Sequence, residues 1–255
     1  MTPIMFQSYR TAVLGALAAA ALLPAFAQAQ AAPQTPSVTA ASPDGSLVLT
    51  LTTDNDGRAV YTLSRKGKLL IGASKLGFLL TDGLNMVRRF RITGSETASA
   101  DTTWEQPWGE RRFVRDNHKE LLVHLEQNAD YGGRKLDVRF RLFNDGFGFR
   151  YELPEQPTMR TMKIADEVTE FNVAQPGTAW WIPGGEWNRY EQVYQKTPID
   201  AVSTAHTPIT MRLDDGTHLA FHEAALVGYS GMWFKRADGQ LFRSTLAPSS
   251  RGARV

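Results

Sequence analysis

The stretch Ser46-Leu-Val-Leu-Thr-Leu-Thr-Thr-Asp-Asn-Asp-Gly-Arg-Ala-Val-Tyr-Thr-Leu-Ser64 decides the fold. Leu47, Leu49 and Leu51 alternate with Ser46, Val48, Thr50 and Thr52, and a period of two puts the leucines on one face of an extended chain. Asn55-Asp56-Gly57 then reads as a hairpin turn, after which residues 58–64 alternate again. Working outward, the same pattern recurs at 69–71, 76–80, 86–93, 121–127, 136–143, 147–153, 207–213, 217–221 and 232–234. Turn signals separate these runs: Arg65-Lys66-Gly67-Lys68, Asn144-Asp145-Gly146, Asp214-Asp215-Gly216 and Ala237-Asp238-Gly239. In the second of these, asparagine and glycine tolerate the positive φ that tight hairpins ask for. Outside the N-terminal region nothing sustains a helical apolar period. The pattern predicts an all-β sandwich of many short antiparallel strands.

The two ends of the chain read differently. Residues 1–32 predict a secretory signal peptide: Arg10, an apolar run broken by Pro24, and the small-residue site Ala27-Gln28-Ala29. A spanning helix needs roughly 20 apolar residues, so an uncleaved anchor is the weaker reading. Arg10 is the only charge in the segment, and its removal takes the formal charge from +2 to +1. Residues 33–42 read as a flexible leader, and 43–255 as the folded domain. An exported chain without cysteine has no disulfide support, thiolate metal site or cysteine nucleophile. Near-balanced charge without a basic run gives no case for nucleic acid, and no other segment spans a membrane.

The chemistry-bearing stretch is Trp180-Trp-Ile-Pro-Gly-Gly-Glu-Trp-Asn-Arg-Tyr-Glu-Gln-Val-Tyr194. Pro183-Gly184-Gly185 cannot prolong a strand, so the rings and carboxylates after it belong to a loop. Flat rings beside carboxylates suit a sugar, and the same rings could equally cap one end of a core. Composition leaves both readings standing.

Other constellations are weaker. His222-Glu223 ends a strand, but His206 and His218 have no metal-ligand spacing to it on extended chain, so a zinc site is disfavoured. Gly228-Tyr-Ser-Gly231 is not a nucleophile elbow, and Gly184-Gly185 lacks a phosphate-loop lysine. The carboxylates Glu105, Glu110, Asp166, Glu167, Glu170, Glu186 and Glu191 remain, since paired carboxylates hydrolyse glycosides and several together hold calcium. Spacing alone does not say which of them converge.

Taken together, five motifs resemble glycoside hydrolase family 97, in its N-terminal domain. They are Ser42-Pro-Asp-Gly45, Trp104-Glu-Gln-Pro-Trp-Gly-Glu110, Arg141-Leu-Phe-Asn-Asp-Gly-Phe-Gly-Phe-Arg-Tyr-Glu152, Trp181-Ile-Pro-Gly184 and His222-Glu-Ala-Ala-Leu226. The resemblance implies a β-super-sandwich of galactose mutarotase-like type, followed in the family by a catalytic (β/α)8 barrel and a small β domain. It implies an exported, periplasmic or secreted α-glycosidase acting on α-linked oligosaccharides with calcium at its active site. It places the catalytic carboxylates on the barrel, which these 255 residues do not reach, so the chain alone is expected to be inactive. The glutamate that the N-terminal domain lends to calcium matches Glu191, with Glu186 as the weaker alternative. Trp187 and Tyr190 fall at the substrate mouth.

Two other readings compete. A free-standing carbohydrate-binding module would use Trp180, Trp181, Trp187 and Tyr190 as stacking platforms. A mutarotase-like enzyme would need His222 and Glu223 to act together, and neighbours on a strand face opposite ways.

Overall fold

The computed structural model describes residues 36–157, 159–186, 188–248 and the backbone of 253–254. The expected signal peptide and Trp187 lie outside the described residues. Thr35–Val255 forms one compact unit. Its strands are β1 (Ser37–Ala41), β2 (Leu47–Thr53), β3 (Ala59–Arg65), β4 (Lys68–Lys75), β5 (Phe78–Leu80), β6 (Phe90–Glu105), β7 (Phe113–Gln127), β8 (Lys135–Leu142), β9 (Phe147–Glu152) and β10 (Lys163–Glu167). The second half adds β11 (Glu170–Val173), β12 (Gly177–Trp181), β13 (Gln195–Pro198), β14 (Thr204–His206), β15 (Ile209–Leu213), β16 (His218–Phe221), β17 (Met232–Asp238), β18 (Leu241–Leu246) and β19 (Ala253–Arg254). Among the described residues there is no α-helix, only short 3₁₀ turns at Ala129–Tyr131 and Ile199–Ala201.

The backbone of the fold is an eight-stranded sheet in the order β1-β2-β3-β4-β11-β18-β17-β14. Two four-stranded sheets, β6-β7-β8-β9 and β13-β12-β15-β16, and a small sheet β19-β10-β5 complete it. Every pairing is antiparallel. The leucines of β2 are buried at alternate positions, as their period requires. One chain of rings joins the sheets. Tyr61 of β3 meets Phe140 of β8 and Phe147 and Phe149 of β9, at centroid distances of 6.4, 5.9 and 5.7 Å. Phe149 also meets Phe171 of β11, which meets Phe221 of β16 and Phe234 of β17. The large sheet therefore carries both four-stranded sheets on a continuous aromatic core, which is the super-sandwich.

Strands β10 to β14 and β18 fall outside the runs read from the sequence, and the structure departs from that reading in four further places. Ser37–Ala41, assigned to the flexible leader, is β1, with Val38 and Ala40 partly buried against the core and a full register with β2. The Asn144-Asp145-Gly146 turn closes through the Phe143 N–H donating to the Gly146 carbonyl at 2.8 Å, and none of its residues has positive φ. Asn144 instead uses its side chain, accepting from the Asp44 N–H at 3.0 Å. Residues 86–93 are not one strand: Met86 makes an isolated bridge to Phe78, and β6 starts at Phe90.

The fourth departure is the largest. β6 and β7 span 16 and 15 residues and pair along their length from Phe90↔Gln127 to Glu105↔Phe113. The Phe90 end is buried; apart from buried His118, the far half is a two-stranded ribbon wetted on both faces. With no buried face, Ser95-Glu-Thr-Ala-Ser-Ala-Asp-Thr-Thr103 needs no apolar alternation, and the pattern that reveals other strands is missing. Arg115 pairs with Asp101 and Arg112 with Glu105, each at 2.7 Å through Nε, across the ribbon end. Trp104, Trp108 and Phe113 are exposed there.

Candidate functional site

The site is built where β12 leaves its sheet. Trp180 and Trp181 alternate: Trp181 is buried and donates Nε1–H to Thr197 Oγ1 at 3.0 Å. Trp180 faces outward, with Lys196 Nζ 5.6 Å and the Arg212 guanidinium 6.0 Å from its ring centroid. The chain then crosses to the large sheet. Pro183 bridges to Ala205, the Gly184 N–H donates to Thr204 O at 2.9 Å, and the His206 N–H donates to Ile182 O at 3.0 Å. A Cβ on Gly184 would lie 2.9 Å from the Ala205 carbonyl carbon and the His206 nitrogen, so the crossing requires glycine. Gly185, at φ +112, turns the chain out to solvent.

Tyr190 is the hinge between that loop and the body. Its ring lies 4.2 Å from the His206 ring, and its hydroxyl donates to the Thr207 carbonyl at 2.5 Å. The tyrosine remains 52 % exposed. Burial, then the charges of Glu223 and Tyr194, push its phenol pKa up. The Arg189 carbonyl can only accept, so the His206 Nε2 facing it at 3.2 Å carries the proton. Glu191 follows, exposed, then Val193 and Tyr194, also exposed. Neither Glu186 nor Glu191 enters a hydrogen bond or ion pair through its side chain among the described residues.

Two carboxylates that looked like candidates are committed elsewhere. Glu223 accepts from the Thr207 hydroxyl and, at 2.5 Å, from the Met232 N–H. His222 lies beyond the end of β16, its Nδ1 2.7 Å from the carbonyl of Glu223, so the pair does not form an acid–base dyad. Glu167, at the end of β10, accepts from the hydroxyls of Thr169 and, at 2.7 Å, Tyr229. Burial raises its pKa against those two bonds, and nearby Asp166 and Glu223 add to the rise. Thr169 also meets the Tyr151 hydroxyl at 2.7 Å, which accepts the Gly77 N–H at 3.2 Å. The sequence marks Asp166 and Glu167 as carboxylates of interest but carries no signal for Thr207 or Tyr229, whose partners lie 16 and 62 residues away.

No group of three or more His, Asp or Glu side chains suited to a metal occurs among the described residues. As an exposed loop carboxylate, Glu191 offers a hard cation one oxygen donor.

The family description "Glycosyl-hydrolase 97 N-terminal" matches residues 40–252. The chain belongs to that family. A glycoside hydrolase family 97 enzyme from Pseudoalteromonas sp. strain K8 has been solved with panose and with acarbose. It is 39% identical, with a TM-score of 0.81, over 86% of this chain and 33% of its own. A probable retaining alpha-galactosidase from Streptomyces bingchenggensis is 27% identical over 219 residues, 78% of this chain and 32% of its own. A beta-arabinopyranosidase at 24% identity and TM-score 0.76 shares the fold. This family 97 N-terminal domain thus spans about a third of the length of the relatives it matches.

Proposed function

We propose that this family 97 domain is the non-catalytic N-terminal part of an exported, calcium-dependent α-glycosidase in the periplasm or outside the cell. It packs on a (β/α)8 barrel, lends Glu191 to a calcium ion shared with that barrel, and sets Trp187 and Tyr190 at the mouth that admits an α-linked oligosaccharide. The observation that carries this reading is the exposed Tyr190-Glu191 pair: a half-open ring beside a carboxylate with no partner among the described residues. Exposed Val193, Tyr194, Leu226 and Val227 lie on that loop and on the 222–231 loop, which Glu223 ties to it through Thr207. Apolar exposure of this kind marks a surface that another body covers. The panose and acarbose complexes of the Pseudoalteromonas enzyme support a sugar of the same class.

The test is a chimera in which this chain replaces the N-terminal third of the Pseudoalteromonas enzyme. Hydrolysis of an α-glucoside is followed against free calcium. Glu191→Gln is expected to raise the calcium midpoint by tenfold or more on the order set by ligand charge, and Glu186→Gln to leave it unchanged. Equal midpoints for Glu191→Gln and the parent would refute the calcium role. A separate titration of this chain alone with panose is expected to show no heat. Clear binding there would favour the free-standing sugar-binding module.

A further inference from the structure

We propose that Glu223 is a positioning residue that holds the Tyr190-Glu191 segment in place, acting through Thr207. The functional weight of this inference rests on the reading of Glu191 given above; its structural content does not.

Between Gly185 and β13 no described residue has a ladder partner. Among the described residues its ties to the body go to two consecutive residues, His206 and Thr207. The Tyr190 hydroxyl donates to the Thr207 carbonyl, the Tyr190 ring packs on His206, and His206 Nε2 donates to the Arg189 carbonyl. The two other backbone bonds of the segment, Arg189 N–H to Glu186 O and Gln192 N–H to Tyr190 O, are internal to it and anchor nothing. Whatever fixes His206-Thr207 therefore fixes the loop.

His206 ends β14, paired with Trp233 of β17, while Thr207 begins the crossing to β15 and lies outside both ladders. Glu223 braces that corner. One carboxylate oxygen accepts the Thr207 hydroxyl, and the other accepts the Met232 N–H at the start of β17, next to β14 in the large sheet. A carboxylate bonded at both oxygens joins the corner to a core strand and closes the base of the 222–231 loop. Charge-assisted bonds of this kind are about twice as strong as neutral ones. Glutamate suits the role because both partners are donors. Glutamine would offer one acceptor and turn an N–H₂ toward the other donor. The His222-Glu-Ala-Ala-Leu226 motif thus contributes a brace for the loop.

Amide hydrogen exchange of the full chain reads this directly. Thr207→Val removes the hydroxyl at nearly constant volume, and Thr207→Ser keeps it. Thr207→Val and Glu223→Gln are each expected to speed exchange of the Arg189 and Gln192 amides, the two in 188–192 that donate a hydrogen bond, by roughly tenfold to a hundredfold, with Leu121–Leu125 in β7 unchanged. Thr207→Ser should match the parent, and the double variant should be no faster than either single one, because both break the same path. Unchanged loop exchange in both single variants would overturn the proposal. So would acceleration spread equally over β7, which marks a general loss of stability. If Glu223→Gln does not fold, the Thr207 pair decides alone. In the chimera, Thr207→Val should raise the calcium midpoint while Thr207→Ser does not. If Glu191→Gln leaves that midpoint unmoved yet Thr207→Val loosens the loop, the calcium reading falls and the brace stands.

Discussion

Tyr61 tests whether the join between the large sheet and the β6–β9 sheet is what the geometry says it is. The residue is fully buried, and its hydroxyl donates to the Glu170 carbonyl of β11 at 2.8 Å, 109 residues away in sequence. Tyr61→Phe keeps the ring and removes that bond. A buried hydrogen bond is worth about 1 kcal/mol net, and an acceptor left without a donor costs about 1–3 kcal/mol, so the expected loss is about 1–3 kcal/mol. For a domain of this size each kcal/mol moves Tm by about 2–4 °C. Tyr61→Ala also removes the ring, which contacts Phe140, Phe147 and Phe149, and aromatic truncation in a core costs about 3–5 kcal/mol. The exposed Tyr194→Phe should stay within about 0.5 kcal/mol. Urea denaturation followed by fluorescence and circular dichroism gives the three values, with coincident curves as the two-state check. A Tyr61→Ala loss no larger than that of Tyr61→Phe would refute the join, and a Tyr61→Phe loss below about 0.5 kcal/mol would deny the bond from β3 to β11 within the large sheet.

Two further outcomes are expected. The Glu152 carboxyl is held down from 4.5 to about 2, first by its hydrogen bond to Arg139 and then by Arg150. A depressed acid stabilises fully above its ordinary pKa and loses that contribution as pH falls toward the folded value. The stability gap between the parent and Glu152→Gln should therefore shrink between pH 4.5 and about 2; a constant gap in urea midpoints would deny the pairing. Trp108, 83 % exposed at the end of the β6–β7 ribbon, should tolerate Trp108→Ser within about 0.5 kcal/mol. Urea midpoints check this, and a loss well beyond that figure would show that the Trp108 ring packs on the domain.

What the sequence makes legible follows from which faces are dry. Leu47, Leu49 and Leu51 declare β2 because one face of that strand is buried and the other is not. The same logic explains two of the misses. The outer half of β6 has two wet faces and so lacks any period. β1 is a short sheet-edge strand whose small residues Ser37, Thr39, Ala40 and Ala41 look like leader. Turn chemistry is legible where glycine must take a left-handed φ, as at Gly216 and Gly239. It misleads at Asn144-Asp145-Gly146, where the turn forms without one.

The site divides in the same way. Pro183-Gly184-Gly185 announces that the chain leaves its sheet, and the structure shows why both glycines are needed: a crossing too close for a Cβ, then a left-handed turn. Nothing local announces where the loop is held, because the holding residues come from other strands and sit there by tertiary packing. Glu223 is instructive. Read from the sequence beside His222 it looks like half of an acid–base pair; in the fold both its oxygens are taken by donors. Glu191 has the opposite character, unremarkable among many glutamates by spacing yet left without a partner on an anchored loop. A carboxylate's chemistry is set by how many donors the fold aims at it. The bonded ones, Glu167 and Glu223, shape this domain, and those open among the described residues, Glu186 and Glu191, are left for whatever the domain meets.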